Sequence, residues 1–159
     1  MSCDIAQFID RWYRDWFRNE RMYDEWARRH GLNYTEMFAL YVLNATDGCT
    51  PKYVAEFLSV SKQTINGVLD RLERRQLIER IPSAVDRRSR VVRLTGEGAQ
   101  RVKMLLGELA QMEKRAFSRF TDVEIANMIE LNSKLTDYIV QEMQQKNEER
   151  QDQKYKEVL

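Results

Sequence analysis

Arg87, Arg88, Arg90 and Arg93 stand within seven positions of the run "VDRRSRVVRLTGEG", residues 85–98. Guanidinium groups at this density do one kind of chemistry well: planar hydrogen bonding to phosphate or carboxylate oxygens. Asp86, beside them, can accept from one guanidinium and hold it in a fixed pose. Between residues 60 and 94 nine basic residues face four acidic ones. That is a local excess of five charges on a chain of net charge +1, so the rest carries a net −4. A basic segment on an acidic body suits a polyanion partner.

Other chemistries find few residues. His30 is the only histidine, and it sits beside Gly31 as a helix-end residue. No Ser/His/Asp set, glycine-rich phosphate loop or metal-ligand spacing can be assembled, so the expectation is no catalytic residue, no cofactor and no metal. Two cysteines make no disulfide framework and point to a reduced, cytoplasmic setting. Cys3 precedes the first turn of a helix, and Cys49 precedes the start of another, where the helix dipole could lower its pKa. Thiol redox sensing is therefore an alternative reading. Trp12, Tyr13, Trp16 and Trp26 are candidates for a ligand pocket, since flat apolar walls with polar tips suit a small aromatic or amphipathic effector. The same rings also serve as core or dimer packing.

The elements that carry these residues follow from periodicity. The 159 residues, 43% apolar and 32% charged, predict one domain over 1–159. The start, "MSCDIAQF", lacks the pattern of a signal peptide, and the longest apolar run, Met37 to Leu43, is too short to span a bilayer. Ile5, Phe8, Ile9, Trp12 and Trp16 predict an amphipathic helix over about 4–29, stopped by Gly31. Asn33 or Thr35 can cap a second helix, whose buried face is Phe38, Val42 and Leu43. Thr50 caps a short third helix with Pro51 at its first position. Ser61 caps a fourth that runs to about Arg75. "LIERI" (77–81) and "VVRLT" (91–95) predict a hairpin with a basic tip, Val92 and Leu94 on one face and Arg93 on the other. Helices then fill 99–145, broken at the capping box Thr121/Glu124, before a polar tail over 146–159. The apolar faces at both ends exceed what one small domain covers, which predicts a homodimer built from 4–29 and 99–145.

The third and fourth helices satisfy a stricter pattern. Counting from Pro51, the fourth position is Val54 and the fifth is the small Ala55. The eighth is Leu58, the tenth Val60, the fifteenth Ile65 and the eighteenth Val68. Two helices crossing steeply need a small residue at the crossing and apolar residues on the facing sides. The fourth helix then shows Ser61, Lys62, Gln63, Thr64, Asn66 and Gly67 away from its apolar stripe. Short polar groups near a helix start suit base edges and phosphates in a major groove. An arginine-bearing hairpin beside that helix can reach the adjacent minor groove.

The run from Thr50 to Gly98 resembles the winged helix-turn-helix of the multiple antibiotic resistance regulator (MarR) family. The resemblance is carried by "LIER" and by "DRRSRVVRLTGEG": Asp86, Arg88, then Leu94-Thr95 and Gly98. Gln76 departs from it, standing where a glycine is common, and Ser59 departs from the two-helix pattern above, whose ninth position is often glycine. The resemblance implies a mainly α fold with a small β-hairpin wing and a winged helix lobe over about 33–98. It implies a DNA-binding transcription regulator, a dimeric repressor on a pseudo-palindromic double-stranded operator, released by a small ligand. The recognition helix would be about 61–75 and the wing 82–90. Ser61 to Gly67 would enter the major groove, with Arg71 and Arg74 near phosphates. Arg88 would be the minor-groove arginine, and Arg87 and Arg90 secondary contacts. A winged helix that binds protein instead would call for an uncharged or acidic wing.

Overall fold

A computed structural model describes residues 4–82 and 90–156, with side chains described to residue 148. Six helices and one two-stranded antiparallel sheet make up the described chain: α1 (Ile5–Arg29), α2 (Tyr34–Thr46), α3 (Pro51–Phe57), α4 (Lys62–Arg74), β1 (Ile78–Pro82), β2 (Arg90–Leu94), α5 (Gly96–Phe117) and α6 (Asp122–Lys156). It divides into two units, one up to Leu109 and one from Ala110. Among the described residues no helix is long and apolar enough to cross a membrane.

The first unit is built by local signals that agree with its packing. Asp4 caps α1 by accepting from the N–H groups of Ala6 and Gln7. At the other end Leu32 N–H reaches back to the Ala27 carbonyl and Gly31 N–H to that of Arg28, with Gly31 at φ 70°. This double closure needs a left-handed residue, which glycine supplies without strain. Asn33, and not Thr35, caps α2 in a reciprocal box with Glu36. The core of α2 is Met37, Ala39, Leu40, Val42 and Leu43. Phe38, expected in that core, is only half-buried and packs instead against Tyr34, tilted, and Tyr23, edge to face.

Thr50 caps α3 with Pro51 at its first position, and Ser61 caps α4. Between them Ser59 takes φ 52°, and Val60 N–H closes back on the Ala55 carbonyl at 3.0 Å. Ala55 of α3 is buried, as are Ile65, Val68, Leu69 and Leu72 of α4, in line with the small residue that a steep helix crossing needs. Any larger side chain there would push the backbones apart.

The sheet pairs Ile78 with Leu94, Arg80 with Val92 and Pro82 with Arg90. Val92 is buried and Arg93 exposed, in line with the alternation in the sequence. One contact was not foreseen. Cys49 pairs with Val92 through two backbone hydrogen bonds of 3.0 and 2.8 Å, giving the hairpin a one-residue third strand. Thr95 closes the hairpin: its hydroxyl donates to the Gln76 carbonyl at 2.6 Å and accepts from Gly98 N–H at 2.9 Å. A Cβ on Gly98 would lie 1.8 Å from the Leu77 carbonyl oxygen, so only glycine lets α5 start this close to the α4–β1 turn.

In the second unit Thr121 and Glu124 cap α6 reciprocally. The hydrogen bonds from Thr121 hold the Glu124 carboxyl below its ordinary pKa. α6 runs on through the polar stretch after Gln144 to Lys156. None of its described residues is buried.

Candidate nucleic-acid interface

Gln63, Gly67 and Arg74 recur along α4 at steps of four and seven, which places them on one helix face. That face is opposite the buried stripe of Ile65, Val68, Leu69 and Leu72. Lys62, Gln63 and Thr64 are exposed, while Asn66 and Gly67 are half-buried. A Cβ added at Gly67 would meet nothing closer than an Arg71 nitrogen at 3.8 Å, so the surface there is low and open. Ser61 and Thr64 are partly committed to each other. The Ser61 hydroxyl accepts from Thr64 N–H at 3.0 Å and lies 2.7 Å from the Thr64 hydroxyl.

The arginines of the basic segment divide into two groups. Arg71 donates through Nε to Glu36 at 2.8 Å, and Arg75 lies 3.7 Å from the same carboxylate. Arg80, on β1, is paired with both Asp70, at 2.6 Å, and Glu73 of α4. Arg93 is paired with Glu79 across the hairpin at 2.7 Å. These four tie the lobe together. Lys62 has no acidic partner among the described residues, and Arg74 donates only to the backbone carbonyl of Asp70. Arg90 is exposed at the start of β2. The wing residues Asp86, Arg87 and Arg88 lie outside the described residues, as does Cys3. Asp70, Glu73 and Glu79 are already counted in the +5 read from the sequence, so of these pairings only those with Glu36, which lies outside residues 60–94, lower the charge free to meet a polyanion. Arg71 is the site residue this touches most: its Nε serves Glu36, and its side chain stays 44% exposed.

The four aromatics proposed as one pocket are not brought together. Trp12, Tyr13 and Trp16 form one cluster, with centroids 5.0 and 5.5 Å apart, continued by Phe17. Trp26 lies fourteen residues beyond Trp12, about 21 Å along a straight helix, and packs on His30 at 4.6 Å. Its indole N–H is buried with no hydrogen-bond partner among the described residues. His30 caps α1, with Nδ1 2.9 Å from the Trp26 carbonyl and Nε2 3.5 Å from Glu108. A cavity of about 370 Å³ opens here, between the end of α1 and the start of α5. Leu32, Leu40, Leu77 and Leu105 line it with Arg29 and Arg101. Nothing in the sequence pattern flagged this space, since its walls come from four separate elements.

Cys49 is half-buried, and burial pushes its thiol pKa up against a weaker lowering by the Thr46 hydrogen bond. The lowering expected from the α3 dipole does not dominate. Among the described residues no group of three or more His, Cys, Asp or Glu side chains could hold a metal.

The MarR family model matches residues 30–89 of the chain. The chain is 26% identical over 124 residues to the HTH-type transcriptional regulator PecS of Dickeya dadantii, covering 76% of this chain and 75% of that one. It is 36% identical over 88 residues to the uncharacterized HTH-type regulator YpoP of Bacillus subtilis, covering 54% of this chain and 62% of that protein. Among solved structures it is similar to a MarR family regulator of Neisseria meningitidis, with TM-score 0.72 and 25% identity over 91% of this chain and 99% of that one. It is also similar to S. aureus MepR in complex with DNA, with TM-score 0.68 and 23% identity over 84% and 97%.

Proposed function

The chain belongs to the MarR family of DNA-binding transcription regulators, which are not enzymes, and from that premise we propose that it acts as a dimeric repressor of a pseudo-palindromic operator. α4 enters the major groove with Gln63, Thr64 and Asn66 toward the base edges and Lys62 and Arg74 toward phosphates. The wing, with Arg88 foremost and Arg87 and Arg90 flanking, reaches the adjacent minor groove, and Asp86 orients one of its guanidiniums. The observation that carries this reading is the polar outer face of α4, left open while the arginines on its flanks are tied to acids. The DNA-bound MepR neighbour supports the choice of partner.

Release by a small effector is a second part of the proposal. The cavity beside His30 supports it: about 370 Å³ is within the range of small-molecule sites, with an apolar floor and two guanidiniums at its rim. A ligand there acts only through a difference in affinity between the DNA-fitting and DNA-misfitting arrangements. Thiol sensing at Cys49 has less support, because a thiol of raised pKa is a poor nucleophile at neutral pH.

Selection of bound duplexes from a random pool, followed by sequencing, tests the reading. The expected outcome is an inverted repeat whose half-sites lie about one helical turn, 10 base pairs, apart. Recovery of DNA without a shared sequence, or of none, would overturn it.

A further inference from the structure

We propose that Glu36 is the positioning residue that sets the pose of the recognition helix. The inference deepens the DNA-binding reading above and rests on it. Glu36 is the one buried charged or polar residue among those described, only 6% exposed. A carboxylate withdrawn from water is costly unless its oxygens are satisfied. Here they are, by groups from two parts of the lobe. Oε2 accepts from Asn33 N–H at 3.1 Å, Oε1 accepts from Arg71 Nε at 2.8 Å, and Arg75 lies 3.7 Å away. One residue along, Tyr34 N–H donates to Asp24 of α1 at 3.3 Å. The chain of polar contacts thus runs from α1 through the start of α2 to α4.

Capping alone does not explain this residue. A capping box needs only a Glu or Gln side chain at that position, commonly in contact with water. It needs neither burial nor a guanidinium from 35 residues away. What the burial adds is a directional grip on one flank of α4, through Arg71 and Arg75 one turn apart. The opposite flank is gripped from β1, where Arg80 holds Asp70 and Glu73.

The two grips matter because the apolar stripe between them is non-directional. Packing of Leu and Val side chains tolerates a small roll about the helix axis. A helix with side chains is about 5–6 Å in radius, so a roll of about 20° moves a tip on the far face by about 2 Å. Gln63 is on that far face. A shift of that size breaks a hydrogen bond to a base edge but leaves a long, mobile lysine able to find its phosphate. Glu36 therefore governs discrimination between sequences more than affinity for DNA as such.

The test compares binding of the selected operator and of a random duplex of equal length, at one salt concentration. Glu36→Gln is isosteric and keeps the capping acceptor but removes the charge shared by Arg71 and Arg75. The expected result is a fall of about tenfold in the operator-to-random ratio, with random-duplex affinity held within about twofold and the salt slope unchanged. A thermal melt confirms that the variant is folded at the assay temperature. An unchanged ratio, or equal loss on both duplexes, overturns the proposal. Should Glu36→Gln not fold, Glu36→Asp is read in the same way: it keeps the charge but is one methylene too short to serve both the Asn33 N–H and the Arg71 guanidinium. Gln63→Ala separates the two levels of the argument. If it leaves the ratio unchanged, the base-reading role of α4 has failed. If it lowers the ratio while Glu36→Gln does not, only the positioning role has.

Discussion

Ser59 and Gln76 bracket α4, and both hold left-handed backbone, at φ 52° and 59°. Residues other than Gly, Asn and Asp adopt that region at a cost of about 1–2 kcal/mol. Their departure from glycine was visible in the sequence, yet the turn geometry survives, because the helix ends it closes are fixed by Leu77 N–H to the Leu72 carbonyl and Val60 N–H to the Ala55 carbonyl. Gln76→Gly should therefore stabilise the fold by about 0.5–1 kcal/mol, after the greater chain entropy of unfolded glycine is subtracted. Denaturant midpoints of the parent and variant check it, and a lower midpoint in the variant would show that the Gln side chain contributes more than the strain costs. Cys49 is the residue where reading by position failed: placement before a helix start suggested a lowered pKa, and burial against β2 raises it. In a Cys3→Ser background, Cys49 should react with a disulfide reagent at pH 7 more slowly than a free thiol and accelerate as pH rises. A rate above that of a free thiol would return thiol sensing to contention.

Elements were more legible than contacts between them. Caps at Asn33, Thr50, Ser61 and Thr121, with Gly31 and the alternation of β2, mark the helix and strand ends to within a residue or two. These are local signals, satisfied within four residues of the chain. The pairing of Arg71 with Glu36, of Arg80 with Asp70, and of Cys49 with Val92 spans 35, 10 and 43 positions, and no periodicity encodes it. For the same reason the basic segment looked more available to DNA than its folded form is. At α4 the expected division is between reading and anchoring. Gln63→Ala should shift preference at one or two base pairs, at about 1–3 kcal/mol, while Arg74→Ala should weaken all duplexes alike and flatten the salt slope. Binding to a panel of single-base operator variants distinguishes the two, and identical profiles would remove the base-reading role from Gln63. At α6 the expectation concerns pH. The Glu124 carboxyl is held low by Thr121, so its capping contribution is present above the ordinary carboxylate pKa and lost as pH falls through the lowered one. Amide protection at the start of α6 should fall in that acid range, and Glu124→Gln should remove the pH step, whereas Thr121→Ala, which keeps the backbone N–H donor, should only reduce it.

On the scale of the whole molecule, the apolar surface left uncovered decides the assembly. α6 is 35 residues long and none of its described residues is buried, yet Met128, Ile129, Leu131, Tyr138, Ile139 and Met143 all lie exposed on it. α1 adds Ile5, Phe8, Ile9, Tyr13, Trp16 and Phe17 at 46–70% exposure. Single exposed apolar residues are ordinary, but two helices that repeat them every three or four positions form faces that water alone does not stabilise. Trp12, Tyr13 and Trp16, candidates for an effector pocket, cluster along α1 beside these exposed residues. In the proposed dimer a second copy of the chain would cover such faces symmetrically and set two α4 helices for two half-sites. Introducing a charge into the α6 face, as in Ile129→Asp with Ile139→Asp, should shift the protein to monomer in sedimentation at micromolar concentration. Operator affinity should fall by about a hundredfold or more, because the second half-site is no longer bound intramolecularly. Binding to a single half-site should change little, since α4 and its flanking grips lie in the other unit. If the variant stays dimeric, the α6 face is not the interface. If it becomes monomeric and still binds the full operator at parental affinity, dimerisation is not what couples the two half-sites.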